Sequence, residues 1–343
     1  MRAIEPRFPL WTWGLPLLLV VSWGMSLSLG AFKIPPLEMV RILWEAFRGQ
    51  PGDDVASSVL LSLRLSRVGF GALAGAGLAL GGVCMQALFR NPLADPGLMG
   101  LSSGAALAAA ALTISAGSLP EVMVHPLAIP ATAFLGGLFT TGLVYRVSNR
   151  GGRIRVESML LMGIAVNALC GALIGVLLLV ADDAQLRNIT FWSFGSLGRV
   201  GGTAMAGLGV ALLPAFVLVW MLRHPMNLLL SGEADAASLG VHVERTKALL
   251  VGCSCWMVSL VVAWSGLIGF VGLVIPHITR LIFGPSHRTL VPASLMLGAM
   301  FLPLADGLCR TVIAPAELPI GMVTALMGTP FFIYLLIRRG VRA

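Results

Sequence analysis

The sequence predicts an all-α polytopic membrane protein of about ten transmembrane helices, with both termini on the cytoplasmic side. Composition is the first reason. The 343 residues are 57% hydrophobic and only 11% charged, whereas a soluble domain carries roughly 25% charged residues. Such a chain cannot cover a water-facing surface, so lipid must be the solvent for much of it. The second reason is the grouping of apolar residues into long charge-free runs. A helix needs about 20 of them to cross roughly 30 Å of hydrocarbon.

In order, the runs are 8–32, 68–89, 96–120, 122–145, 158–186, 200–222, 248–279, 289–305 and 311–337, the last interrupted by Glu317. The first is long and is followed by no small-x-small cleavage site, so it reads as a retained helix rather than a signal peptide. The run 248–279 is too long for one crossing. Its Gly266, Gly269, Gly272 and Pro276 can end one helix and start another, which brings the total to ten. Glycines four apart (Gly71 and Gly75, Gly77 and Gly81, Gly100 and Gly104, Gly171 and Gly175) let helices approach closely in lipid. The whole chain, 1–343, reads as one transmembrane domain.

Charge sets the orientation. The stretch RVSNRGGRIRVE (146–157) has four arginines against one glutamate, which marks it as cytoplasmic. Counting back, Arg64 and Arg67 precede the second span on the outer side. The loops then assigned to the inside hold fifteen Lys and Arg against six acids. The net charge of +8 therefore belongs to these loops, and no compact basic domain points to nucleic acid.

Three features are left over. Arg64 and Arg67 share one helical face at a spacing of three. They can snorkel to headgroups or pair with Asp53 and Asp54, or they can offer fixed positive charge to a partner's carboxylates. In the second reading, reversing them to Glu weakens docking and leaves folding intact. Arg310 is a third such residue, four after Asp306, where an intrahelical pair is the alternative. The turn RNPLADPG (90–97) and the small-residue segment MNLLLSGEADAASLGV (226–241) lie on the inner side. Ser231 is placed to cap a short helix beginning near Glu233. The five cysteines fall in apolar runs and read as small buried hydrophobes. No G-x-x-x-x-G-K-[ST] loop, metal-spaced Cys/His cluster or catalytic constellation is present, and acids deep in the spans are few. Their scarcity argues for energy delivered from elsewhere.

These stretches resemble the permease subunits of type II ABC importers, the family that imports iron-siderophores, haem and vitamin B12. The resemblance is carried by 63–107, by SGEADAASLGV (231–241), by SGLIGFVGLVIPHITRLIFGPSHRTLVPAS (265–294) and by 304–336, with Ser66 standing where the family often has proline. It implies a homodimer in the bacterial inner membrane, two ATPase subunits that bind ATP and magnesium, and a periplasmic substrate-binding protein. It also implies roles: Arg64, Arg67 and Arg310 for binding-protein docking; Ser231, Gly232, Glu233, Ala236, Leu239 and Gly240 for ATPase coupling, within a segment of about 226–243; Asn91 and Leu93 for the cytoplasmic gate. The stretch 166–198, with NALCGA, DDAQLR and W-x-x-G-S-L-G, looks most like haem-import members, with ferric siderophore or B12 as the alternative cargo. The competing class is a secondary carrier or channel independent of an ATPase.

Overall fold

The computed structural model describes residues 10–50, 52–116, 125–198 and 200–340. The expectation of inward-facing termini rests partly on residues outside that set. The first helices are α1 (Leu10–Ser28), α2 (Pro36–Phe47) and α3 (Val55–Ser58). A π-helical turn, Val59–Arg64, joins α3 to α4 (Leu65–Leu88). Next come α5 (Leu101–Ser115) and α6 (Ala128–Ser148). A hairpin of β1 (Asn149–Arg150) and β2 (Arg153–Ile154) follows, then α7 (Val156–Leu179), α8 (Asp183–Ser193) and α9 (Gly202–Leu229). The chain ends with the short α10 (Glu233–Ser238), α11 (Val243–Ser265), α12 (Val271–Phe283), α13 (His287–Cys309) and α14 (Ile320–Gly340).

Among the described residues, six helices are long and apolar enough to cross a membrane: Val55–Leu88, α6, α7, α9, α11 and α13. Four shorter apolar helices accompany them, at Gly14–Ser28, α5, α12 and Ile320–Tyr334. The run 248–279 divides as expected. Gly266, at φ 70°, ends α11 in a left-handed conformation that suits glycine. Pro276, however, lies inside α12 rather than at its start.

Two other runs are cut differently from their apolar lengths. The run 158–186 breaks after α7, because Asp182 and Gln185 form a reciprocal capping box that begins α8. The D-x-x-Q signature for it was in the sequence. The last run becomes helical only at Ile320. The chain between the first two spans also folds, into amphipathic α2, where the Arg48 guanidinium stacks 4.7 Å from the Trp44 ring. Asp54 then caps α3 by accepting from the Ser57 amide. Its carboxyl is held below the usual range, first by the Ser57 hydroxyl.

The bundle is built around α4, which packs against α9, α11, α12 and α13 and is almost wholly buried. A second group, α5, α6 and α7, packs on itself and reaches α11 from the other side. Glycine makes the close crossings possible. A Cβ on Gly75 would collide with the Gly298 carbonyl on α13, and one on Gly82 with the Gly272 carbonyl on α12. Gly104 meets Gly136 and Thr140 in the same way. Gly171 and Gly175 differ: no described residue lies within 4 Å of where their Cβ would stand, so among the described residues they make no close crossing. All five cysteines are buried free thiols.

Candidate functional site

Polar chemistry gathers at the two ends of α4, which at 1.5 Å per residue lie about 36 Å apart. At the Leu65 end, the three predicted arginines have separate tasks. Arg64, 5% exposed, donates to the carbonyls of Leu27 (2.7 Å), Ser28 (3.3 Å) and Phe32. Arg310, 6% exposed, donates to the carbonyls of Ser26 (3.0 Å) and Leu29 (3.1 Å). The last turn of a helix has carbonyls without intrahelical donors, at the negative end of its dipole. Two guanidiniums therefore close the C-terminus of α1. Gly30 permits this, at φ 148°, since a side chain there would press on the Arg64 guanidinium.

Arg67 takes a third direction. Its Nε and Nη2 hold Asp306 at 2.8–3.0 Å, and its two terminal nitrogens hold Glu317 at 2.9 Å. Asp306 also accepts from Arg310 Nε at 3.1 Å, the intrahelical pair that the spacing allowed. The arginines thus do not present one common face. Asp54, offered by the sequence as a possible partner, caps its own helix instead. Charge reversal at Arg64 would set a carboxylate against main-chain carbonyls, so it should destabilise the fold as well as weaken docking.

At the Leu88 end, the turn 90–97 is held by its own side chains. Asn91 Oδ1 accepts from the Leu93 amide (3.0 Å) and Asp95 Oδ1 from the Gly97 amide (2.8 Å). Asn167 of α7 grips the same loop through the Gly97 carbonyl (3.1 Å). A cleft of 390 Å³ is lined by Arg90, Asn91, Glu157 and Glu233 among others. The gate candidate Asn91 and the coupling candidate Glu233 therefore share a space, while Leu93 lies just outside its lining.

The short helix begins at Glu233 as expected, but Ser231 does not cap it. Gly232, at φ 129°, is the N-cap residue, with no side-chain bond. Ala236 is fully buried, whereas Leu239 projects outward at 64% exposure. The exit is a Schellman turn. The Val241 amide donates to the Ala236 carbonyl (3.0 Å) and the Gly240 amide to the Ala237 carbonyl (3.0 Å), with Gly240 at φ 84°. Gly240→Ala should cost about 1 kcal/mol through that left-handed position. Differential scanning fluorimetry of the detergent-solubilised protein should read it as a small fall in Tm with the fold retained.

Sequence reasoning missed Lys247, 3% exposed, which gave no signal beyond one positive charge in a loop count. Its ammonium donates to Glu233 (2.7 Å), Glu244 (3.2 Å) and the Ile154 carbonyl (3.3 Å). The W-x-x-G-S-L-G signature, in turn, has a structural purpose. The Ser196 amide donates to Ser265, and the carbonyls of Phe194 and Gly195 accept from Gly321 and Ile320. Gly195 and Gly266 let these chains touch, because a Cβ on either would strike a carbonyl opposite. Packing thus accounts for Gly195 of this motif, while Trp192, Gly195 and Ser196 also line a cavity with Trp264 and Glu317.

An apolar helix bundle with ionic clusters at its two ends is the architecture of an integral membrane protein. The model of the FecCD transport family matches residues 18–338. The hemin transport system permease protein HmuU of Yersinia pestis is 39% identical over 340 residues, covering 98% of this chain and 97% of that protein. The cobalamin import system permease protein BtuC of Halobacterium salinarum is 41% identical over 332 residues, covering 95% and 87%. A solved ABC transporter described as of metal-chelate type, in an inward-facing conformation, has a TM-score of 0.83 at 31% identity. It covers 96% of this chain and is itself covered completely. The chain belongs to the FecCD transport family and is a permease of type II ABC importers, a transport component.

Proposed function

We propose that this permease carries haem from a periplasmic binding protein into the bacterial cytoplasm, across the inner membrane. The observation that carries the cargo is the nearly end-to-end match to a hemin permease. Vitamin B12 is the second reading, because cobalamin permeases match at the same level of identity. In this proposal the six long and four shorter apolar helices make ten spans of a single domain, 1–343, with both ends inside. Two copies form the path. The open surface of α7, with Leu169, Leu173 and Val176 on one side and Gly171 and Gly175 on another, supports a second copy as its cover.

Two ATPase subunits, loaded with ATP and magnesium, meet the α10 segment through Ser231, Gly232, Glu233, Leu239 and Gly240, with Ala236 anchoring it from inside. The cleft that joins Glu233 to Asn91 supports a link from that segment to a gate at Asn91 and Leu93. At the other end Arg67 is the docking residue, and Arg64 and Arg310, buried against the end of α1, support the docking lip from beneath. Arg67 is the point of exchange, since Glu317 is 44% exposed and a partner's carboxylate can take its place. ATP does work here by binding two conformations with different affinity.

Reconstitution in vesicles with the ATPase that co-purifies and the cognate binding protein tests this. Haem-stimulated ATP hydrolysis and haem uptake are the expected results. Uptake of cobalamin or a ferric siderophore in its place would overturn the cargo. Uptake without ATP, by the chain alone, would overturn the importer and favour a self-sufficient carrier.

A further inference from the structure

We infer that Lys247 is the positioning residue that makes the α10 segment and the α6–α7 hairpin move as one body. The inference rests on the reading of α10 as the ATPase-contacting helix, and it names how motion leaves that helix. Lys247 stands one turn into α11 and is buried, with its ammonium shared among three acceptors on three segments. Glu233 opens α10, Glu244 stands in the first turn of α11, and Ile154 ends β2.

The hairpin is gripped twice at one residue. The Ile154 carbonyl accepts from Lys247 while the Ile154 amide donates to Glu244 Oε2 at 2.7 Å. The turn itself, Gly151–Gly152, has both residues at positive φ and makes a tight two-residue connection. Two residues beyond Ile154, α7 begins, and its Val156 and Glu157 line the cleft that also holds Asn91. A push on α10 therefore reaches Glu233, then Lys247, then the Ile154 peptide, then the first turn of α7.

Stability alone does not call for this arrangement. A buried ion pair is often no more stabilising than well-packed apolar groups of the same size. What ionic bonds add is direction, since each arm holds one segment in one register. The two glutamates keep one side toward water, so each arm can be removed without stranding a buried charge.

The test uses the assembled complex of permease, ATPase and binding protein. Spin labels on Ala237→Cys and Arg153→Cys report the α10-to-hairpin distance, both sites being exposed and the native cysteines buried. With Lys247 present, a narrow distance unchanged between the nucleotide-free and ATP-bound states is expected. Lys247→Met should broaden it and lower cargo moved per ATP by about fivefold or more, and Lys247→Arg should restore both. If Lys247→Met does not assemble, Glu233→Ala, which cuts the α10 arm alone, should give the same broadening. A narrow distance and full coupling in Lys247→Met, or in Glu233→Ala where that variant stands in, would overturn the inference. Failure of Ala237→Cys to cross-link to the ATPase in the otherwise native complex would overturn the reading of α10, and this inference with it.

Discussion

Asp306→Ala should lower the thermal stability of the detergent-solubilised permease sharply, by about 3 kcal/mol, near the lower end of what breaking a buried ion pair costs. Asp306 is the hub of the Leu65 end, 1% exposed and holding Arg67 through both carboxylate oxygens. Without it Arg310 loses its 3.1 Å contact and Arg67 is left with Glu317 alone. The loss stays near the lower end of the range because both guanidiniums keep other acceptors. Glu317→Ala is the matched control. Its side chain is 44% exposed, so solvent screens the pair and the change should cost about 1 kcal/mol or less. Differential scanning fluorimetry on the two variants decides the matter. Equal falls in Tm would mean that Asp306 is not the hub.

Gly82→Ala should be the most damaging of the small substitutions in the bundle, at about 1–3 kcal/mol or more. The added methyl meets the Gly272 carbonyl, which belongs to the backbone of α12 and cannot rotate away as a side chain would. The helices must part, and α4 is the element on which α9, α11, α12 and α13 all pack. Gly171→Ala provides the contrast. None of the described residues comes within 4 Å of a Cβ at that position, so alanine should be neutral or mildly stabilising in the monomer through its better helix propensity. Fluorescence-detected size exclusion after a heating step reads both. A Gly82→Ala profile that matched the unsubstituted protein would count against the close contact of α4 and α12.

The second contrast shows where sequence patterns stop. Gly71–Gly75 and Gly171–Gly175 carry the same spacing, yet the first pair faces neighbouring helices and the second faces outward. Spacing records which residues share a helix face, not what covers that face. The same holds for Arg64 and Arg67. Their separation of three promised one surface, but the residues that receive them come from different helices and pull them apart. Lys247 gave no warning at all, because a lysine's solvation cannot be read until its neighbours are known.

The sequence by itself determined the solvent of the chain, the places of most spans, the break between α11 and α12 and the short helix at Glu233. These follow from local quantities: apolar length, charge and turn chemistry within a few residues. Only the tertiary structure decided which charges are spent on the fold. Arg67 meets Asp306 and Glu317 across 239 and 250 residues, and Lys247 meets Ile154 across 93. Partners that distant are chosen by helix packing, and packing depends on all the spans at once.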